Sequence, residues 1–256
     1  MIDSPPDSSN ACAEVAAFDV GQGERVLFAF SHPDDEMVVA AFLRRLTRQG
    51  TPVHFCWLHS TPVREAESRA AMSRLGLSGD DLTFFGAPDG QLIESISELE
   101  PELRALIDRF RPTRVVTQAF EQGHIDHDAT NFMVDRCFDG PIFEVPCYHT
   151  YLTKVPRILR FADPAGEETI ELSPEERRMK RSLVRLYGSQ SLRRKLALYK
   201  LLLGLTFRDA AFFAKERMRL QGQIDYTRPN LPEPTATKVA ASATWRHWRQ
   251  AVLNLQ

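Results

Sequence analysis

From Glu24 to about Cys147 the chain alternates between two kinds of hydrophobic pattern. Short, nearly continuous apolar runs (RVLFAFS, PVHFCWLHS, DLTFFGA, RVVTQAF and PIFEVPCY) are rich in β-branched and aromatic residues, and they predict five strands buried on both faces. Between them the apolar positions recur at helical spacing, which predicts helices over 37–49, 64–75, 97–110 and 128–137. Gly50, Gly76 and the pair Arg111-Pro112 supply stop signals for the first three. Strand and helix in strict alternation imply right-handed crossovers, hence an α/β fold of Rossmann-like build, a mostly parallel sheet with helices on both faces. In the common strand order 3-2-1-4-5 the first and fourth strands are neighbours at the point where the order reverses, and ligands bind beyond the carboxyl ends there.

The pattern changes after Tyr148. LSPEERRMKRSLVRLYGSQ opens with Ser173 as N-cap, Pro174 at the first helical position and Glu176 completing a capping box. Helical spacing continues through LRRKLALYKLLLG and DAAFFAKERMRLQGQ, so a helical C-terminal extension is expected. The organisation predicted is a loose leader over 1–23, a catalytic α/β core over 24–150, a basic helical extension over 151–225 and a Pro-containing tail over 226–256 that wraps or trails.

With 256 residues, 43% hydrophobic and 26% charged, the chain has an ordinary globular composition. A formal charge of −2 gives no global sign of nucleic-acid binding. Cys12, Cys56, Cys137 and Cys147 lack the C-x-x-C spacing of a thiolate metal site and suggest no disulfide framework. No run is long enough to cross a membrane, and the first residues lack the basic and apolar regions of a signal peptide, so a cytoplasmic address is expected.

The chemistry lies at two predicted strand ends. The first strand ends in SHPDDE and the fourth in QAFEQGHIDHD. A lone acidic cluster also suits a solvated helix start, and a lone histidine such as His54 or His59 is expected to pack within the fold or face solvent. The two stretches together supply His32, Asp34 and Asp35 from one loop and His124, Asp126 and His127 from the other. Two histidines with one carboxylate make a common shell for catalytic zinc, and a second carboxylate can serve as base. A shared dication would also relieve the repulsion among three neighbouring acids. HPDDEMVVAA contains no glycine, which removes a phosphate-cradling loop and with it a dinucleotide or P-loop function.

SHPDDE followed by GHIDHD resembles the LmbE/PIG-L family of zinc-dependent N-acetylglucosaminyl deacetylases. VREAESRAAMSRLG is similar to the family's R-x-x-E helix, FFGAPDGQL to its P-D-G turn and, more loosely, KRSLVRLYGSQ to a late Ser-Gln segment. The close resemblance spans Glu24 to Thr130. It implies His32, Asp35 and His127 as ligands of Zn2+, with Fe2+ as the other ion, and Asp34 as general base. It further implies His124 as electrostatic or acid partner oriented by Asp126, and Arg64 and Asp89 as sugar contacts. MVVAAF stands where many members carry a glycine pair, Ser31 where a small apolar residue is usual and Ile125 where proline is common.

The expected activity is removal of the acetyl group from an N-acetylglucosamine-type sugar or conjugate. The alternatives are a deacylase of another N-acyl natural product or glycolipid, and a non-catalytic binding protein on the same fold. Thirteen Lys and Arg against four acids between Ser173 and Leu220 suggest either a solvated face, an attraction for an anionic substrate, or peripheral membrane contact.

Overall fold

All five apolar runs form strands in the computed structural model of this protein, which describes residues 16–152, 157–190 and 210–255. They are β1 (Val26–Phe30), β2 (Val53–His59), β3 (Leu82–Ala87), β4 (Arg114–Gln118) and β5 (Ile142–Val145). All pair in parallel in the order 3-2-1-4-5, so β1 and β4 are neighbours as the alternation predicts.

Successive strand residues point to opposite faces. Val26, Phe28 and Phe30 of β1 enter one core and Leu27 and Ala29 the other, and all five are fully buried. The first core is filled by α1 (Ala40–Gln49) and α2 (Pro62–Leu75), the second by α3 (Leu92–Phe110) and α4 (Ile125–Cys137). The helix starts differ from the expected ones. Residues Asp35–Val38 form a 3-10 turn, which delays α1. The α3 helix begins earlier and runs through Pro101, because Leu92, Ile93 and Ile96 are buried and the carboxylate of Asp126 takes up the Leu92 N–H.

The C-terminal region contains helices but also strands that the helical reading misses. A short antiparallel pair, β6 (Tyr148–His149) and β7 (Arg157–Ile158), is followed by β8 (Glu168–Glu171) and α5 (Pro174–Leu183). Ser173 and Glu176 exchange the two hydrogen bonds of the expected capping box. LRRKLALYKLLLG lies outside the described residues. DAAFFAKERMRLQGQ is not one helix: α6 (Ala210–Ala214) gives way to β9 (Lys215–Leu220). Glu216 and Met218 are buried while Lys215, Arg217 and Arg219 are half-buried, a period of two that suits a strand. Strand β9 pairs antiparallel with β5 on one side and β8 on the other, completing a seven-stranded sheet in the order 3-2-1-4-5-9-8.

The last segment does more than trail. It forms α7 (Thr235–Ala240) and α8 (Ala243–Leu255), and Trp245, Trp248 and Val252 sit at helical spacing in the second core. Trp248 packs on Phe120 and Phe132, and its indole N–H donates to the Tyr226 carbonyl. No helix among the described residues is long and apolar enough to cross a membrane.

Candidate active site

The carboxyl ends of β1 and β4 bring SHPDDE and HIDH together. Asp35 is central: its Oδ2 lies 3.3 Å from His32 Nδ1 and 3.3 Å from His127 Nε2, and it accepts hydrogen bonds from Gln118 Nε2 (2.8 Å) and the His32 N–H (3.0 Å). Burial works against its charge, yet His127 and His32 hold Asp35 well below the usual carboxylate range. His32 is buried between acids, with Nε2 3.0 Å from Asp126 Oδ2 and 3.2 Å from Asp89 Oδ1. Burial lowers its basicity, but hydrogen bonds to Asp126, Asp35 and Asp89 outweigh that and raise it well above an ordinary imidazole.

The three consecutive acids diverge. Asp34 faces Arg64, whose Nη2 approaches Asp34 Oδ1 at 3.4 Å and donates to the Pro33 carbonyl at 3.0 Å. Burial, then the charge of Asp35, push Asp34 up to about 8, with Arg64 opposing. Glu36 turns into the core and is met by four protein donors rather than by a shared dication, although burial outweighs them and raises its affinity for protons. That arrangement is not legible in the motif, because the donors beyond the loop itself come from β2, α2 and the C-terminal extension.

His124 caps α4, its Nδ1 accepting the Asp126 N–H at 3.2 Å. The proton of the neutral ring therefore belongs on Nε2, which makes His124 a donor. Burial, together with His127 and His32, pushes it down to about 4, so the ring is neutral near pH 7. The backbone of Asp126 touches His124, whereas its carboxylate accepts from Gly90 N (2.7 Å) and Leu92 N (3.1 Å) and reaches His32. Asp126 thus orients His32 and the start of α3 with its side chain, a different task from the orientation of His124 that the resemblance implied. Asp89 stands exposed at the rim, 3.5 Å from Arg64 Nη1, and its contact with His32 holds it below the usual carboxylate range.

His59, expected to pack or face solvent, also reaches the site. Its Nδ1 lies 2.7 Å from the Ala87 carbonyl, which leaves Nε2 as a lone pair 4.0 Å from Asp89 Oδ2. The signal was positional: His59 ends β2 beside β1, and its N–H donates to the Ser31 carbonyl. His54, near the opposite end of β2, packs against Phe110 and Thr83 as expected.

The donor set fits a divalent ion. His32, His124 and His127 each offer a ring nitrogen, and all three lie within 4.8 Å of one another. His32, Asp89 and Asp126 form a second such group. Asp35 belongs to neither group, although its Oδ2 lies 3.3 Å from His32 Nδ1 and 3.3 Å from His127 Nε2, close to the separation of about 3.3–3.4 Å between two ligand atoms of a tetrahedral zinc. In a neutral His32, as a metal ligand must be, a proton held on Nε2 by Asp126 would leave the Nδ1 lone pair beside Asp35, the arrangement of a histidine ligand oriented by a carboxylate.

Residues 27–138 match the model of PIG-L, the GlcNAc-PI de-N-acetylase family. Among solved structures, the chain is similar to a deacetylase of the teicoplanin biosynthesis pathway, with TM-score 0.54, 18% identity, and 78% of this chain and 100% of that one covered. The teicoplanin deacetylase is also known in a zinc-inhibited form. A conserved protein of Thermus thermophilus gives TM-score 0.53 and 19% identity over 79% and 97% of the two chains. The N,N'-diacetylchitobiose deacetylase of Pyrococcus horikoshii gives 0.50 and 15% over 77% and 84%. At these identities the likeness is one of fold. The search of curated proteins finds no match.

Proposed function

Because residues 27–138 belong to the PIG-L family, we propose that this protein is a metal-dependent hydrolase removing the acetyl group from an N-acetylated amino sugar or sugar conjugate. One observation carries the reading. Asp35 Oδ2 is shared between His32, which follows β1, and His127, in the first turn of α4, at the strand-order reversal, with Asp34 and His124 beside them.

His32, Asp35 and His127 are the residues that would hold zinc. When bound, the ion polarises the amide carbonyl and makes water a better acid. Asp34 takes the proton of the attacking water; it stands beside Asp35 in the motif, with Arg64 Nη2 3.4 Å from its Oδ1. Water oxygen bonds to the acetyl carbon, and the neutral His124 donates from Nε2 to the oxygen on which charge develops. The C–N bond then breaks, and Asp34 returns its proton to the leaving nitrogen, giving acetate and a free amine. Arg64 and Asp89, joined at 3.5 Å on the rim, bind sugar hydroxyls by donating and accepting respectively. His59 Nε2 adds a second acceptor there.

Ferrous iron, the other ion raised by the motif, draws no support from the compared structures. An anionic sugar conjugate as substrate, and membrane contact through residues 173–220, remain open to test: Lys180 pairs with Glu216, Lys215 with Glu171, Arg217 with Glu167 and Arg219 with Glu144, whereas Arg178, Arg181 and Arg185 are exposed.

The test is metal analysis of the purified protein followed by amine release from free, nucleotide-linked and lipid-linked N-acetyl sugars. Stoichiometric zinc with amine release from one of these classes is the expected result. Bound zinc with release only from other N-acyl natural products would replace the sugar. No release from any substrate by the zinc-loaded protein would overturn the enzymatic reading.

A further inference from the structure

We propose that Glu36 is a positioning residue whose carboxylate clamps the backbone of Asp34 in the conformation that presents its side chain to the site. The inference rests on the reading of Asp34 as the base, and it extends that reading to residues which touch no substrate.

The geometry begins with backbone strain. Asp34 has φ 104° and ψ −19°, a left-handed conformation that a residue with a Cβ adopts at an energetic penalty. A chain left to itself would relax it, so neighbouring structure has to hold it. The holder is two residues away. Glu36 Oε2 accepts the Asp34 N–H at 2.8 Å and the indole N–H of Trp57 at 3.0 Å. Its other oxygen, Oε1, accepts the hydroxyl of Ser68 at 2.6 Å and that of Tyr187. The carboxylate is fully buried, as are Trp57 and Ser68, and Tyr187 is nearly so. Strand β2, helix α2 and the segment after α5 therefore meet on one side chain, and that side chain holds the peptide of Asp34.

The two oxygens have unequal demands. Donors at Oε2 are a backbone amide and an indole, which can only donate. Donors at Oε1 are hydroxyls, which can turn and accept instead. A glutamine at position 36 can therefore satisfy all four partners, with its carbonyl toward Asp34 and Trp57 and its amide toward Ser68 and Tyr187. If the clamp works by geometry, the charge is dispensable and the acceptor at Oε2 is not. If Glu36 worked by its field on the site, glutamine would fail as badly as an apolar residue.

Three variants of the zinc-loaded full chain separate these roles: Glu36→Gln, Glu36→Ala and Glu36→Met, the last retaining bulk without an acceptor. Each is measured for metal content, for kcat and KM of amine release, and for hydrogen exchange at the Asp34 amide. Glu36→Gln is expected to keep kcat within a few-fold of wild type and to keep the Asp34 amide protected. Glu36→Ala and Glu36→Met are expected to keep metal and KM, to lose about 10²-fold in kcat, the effect of misplacing a reacting group by about 1 Å, and to expose that amide to exchange. An amide that stays protected in Glu36→Met overturns the clamp, as does a kcat loss in Glu36→Gln equal to that of Glu36→Met. Should both apolar variants fail to fold, Glu36→Gln decides alone: protection with near-native kcat supports the clamp, and loss of either overturns it. If wild type releases no amine, the proposed function falls, while amide exchange still judges the clamp.

Discussion

Asp34 and Glu121 are both buried acids with elevated proton affinity, and their surroundings give them different consequences. Asp34 opens onto the site beside Arg64, so its effect is on turnover. Asp34→Ala is expected to retain zinc, because the proposed ligands are untouched, and to lose about 10²–10⁴-fold in kcat; turnover equal to wild type would remove Asp34 from the role of base. Glu121 is almost wholly buried after β4, with Oε1 accepting the Ala162 N–H and Oε2 lacking a hydrogen-bond partner among the described residues. Burial pushes it up to about 8, with Arg219 opposing. The folded chain then holds a proton that the unfolded chain releases above its ordinary value of about 4.5. Stability contributed by that proton is complete below the unfolded value and falls as pH rises toward 8, by at most about 1.4 kcal/mol per pH unit. Glu121→Gln keeps an acceptor for Ala162 without titrating, so its melting temperature is expected to fall less than that of wild type between pH 5 and 8. Parallel melting curves for the two proteins would remove Glu121 from the linkage.

At the scale of elements, periodicity announced β1 to β5 well because each is a short buried apolar run. It misread 209–223, where Ala211, Phe212 and Phe213 continue a helical pattern into a segment that pairs as a strand. The competing signal, alternation through KERMRL, spans only six residues, and its meaning depends on the free edge of β5. The same strand carries Glu216, whose two oxygens accept the N–H groups of Ala41 and Phe42 at the start of α1 while Lys180 of α5 donates at 3.0 Å. Three elements far apart in sequence thus meet on one buried ion pair. Lys180→Ala leaves the Glu216 charge buried without its partner, and a loss of about 3–5 kcal/mol in denaturant unfolding is expected. The double variant Lys180→Met with Glu216→Gln should lose less; equal losses would mean that the pair is no more than packing.

For the whole molecule, the strand order and the meeting of the two polar loops were legible, since each follows from a local pattern and one topological rule. The partners of the loops were not. Glu36 draws on Tyr187 and the β4–α4 turn on Asn230, contacts over 151 and 108 residues that no window of sequence reveals. The prolines of the tail leave wrapping and trailing equally open, although WRHWRQAV places two tryptophans and a valine on one helical face. In the fold those residues close the second core over Phe120 and Phe132. Trp248→Ala is expected to destabilise the protein by about 3–5 kcal/mol in denaturant unfolding; a loss under about 1 kcal/mol would show that the final helix is dispensable to the core.

The cap that Glu216 places on α1 bears on how the protein comes to be made. Every side chain assigned to the chemistry has been synthesised by residue 127, yet the strand that braces the helix behind SHPDDE arrives only with residues 215–220. Competence is therefore a late event in synthesis, and a nascent chain interrupted midway holds every reactive group without the frame that aligns them.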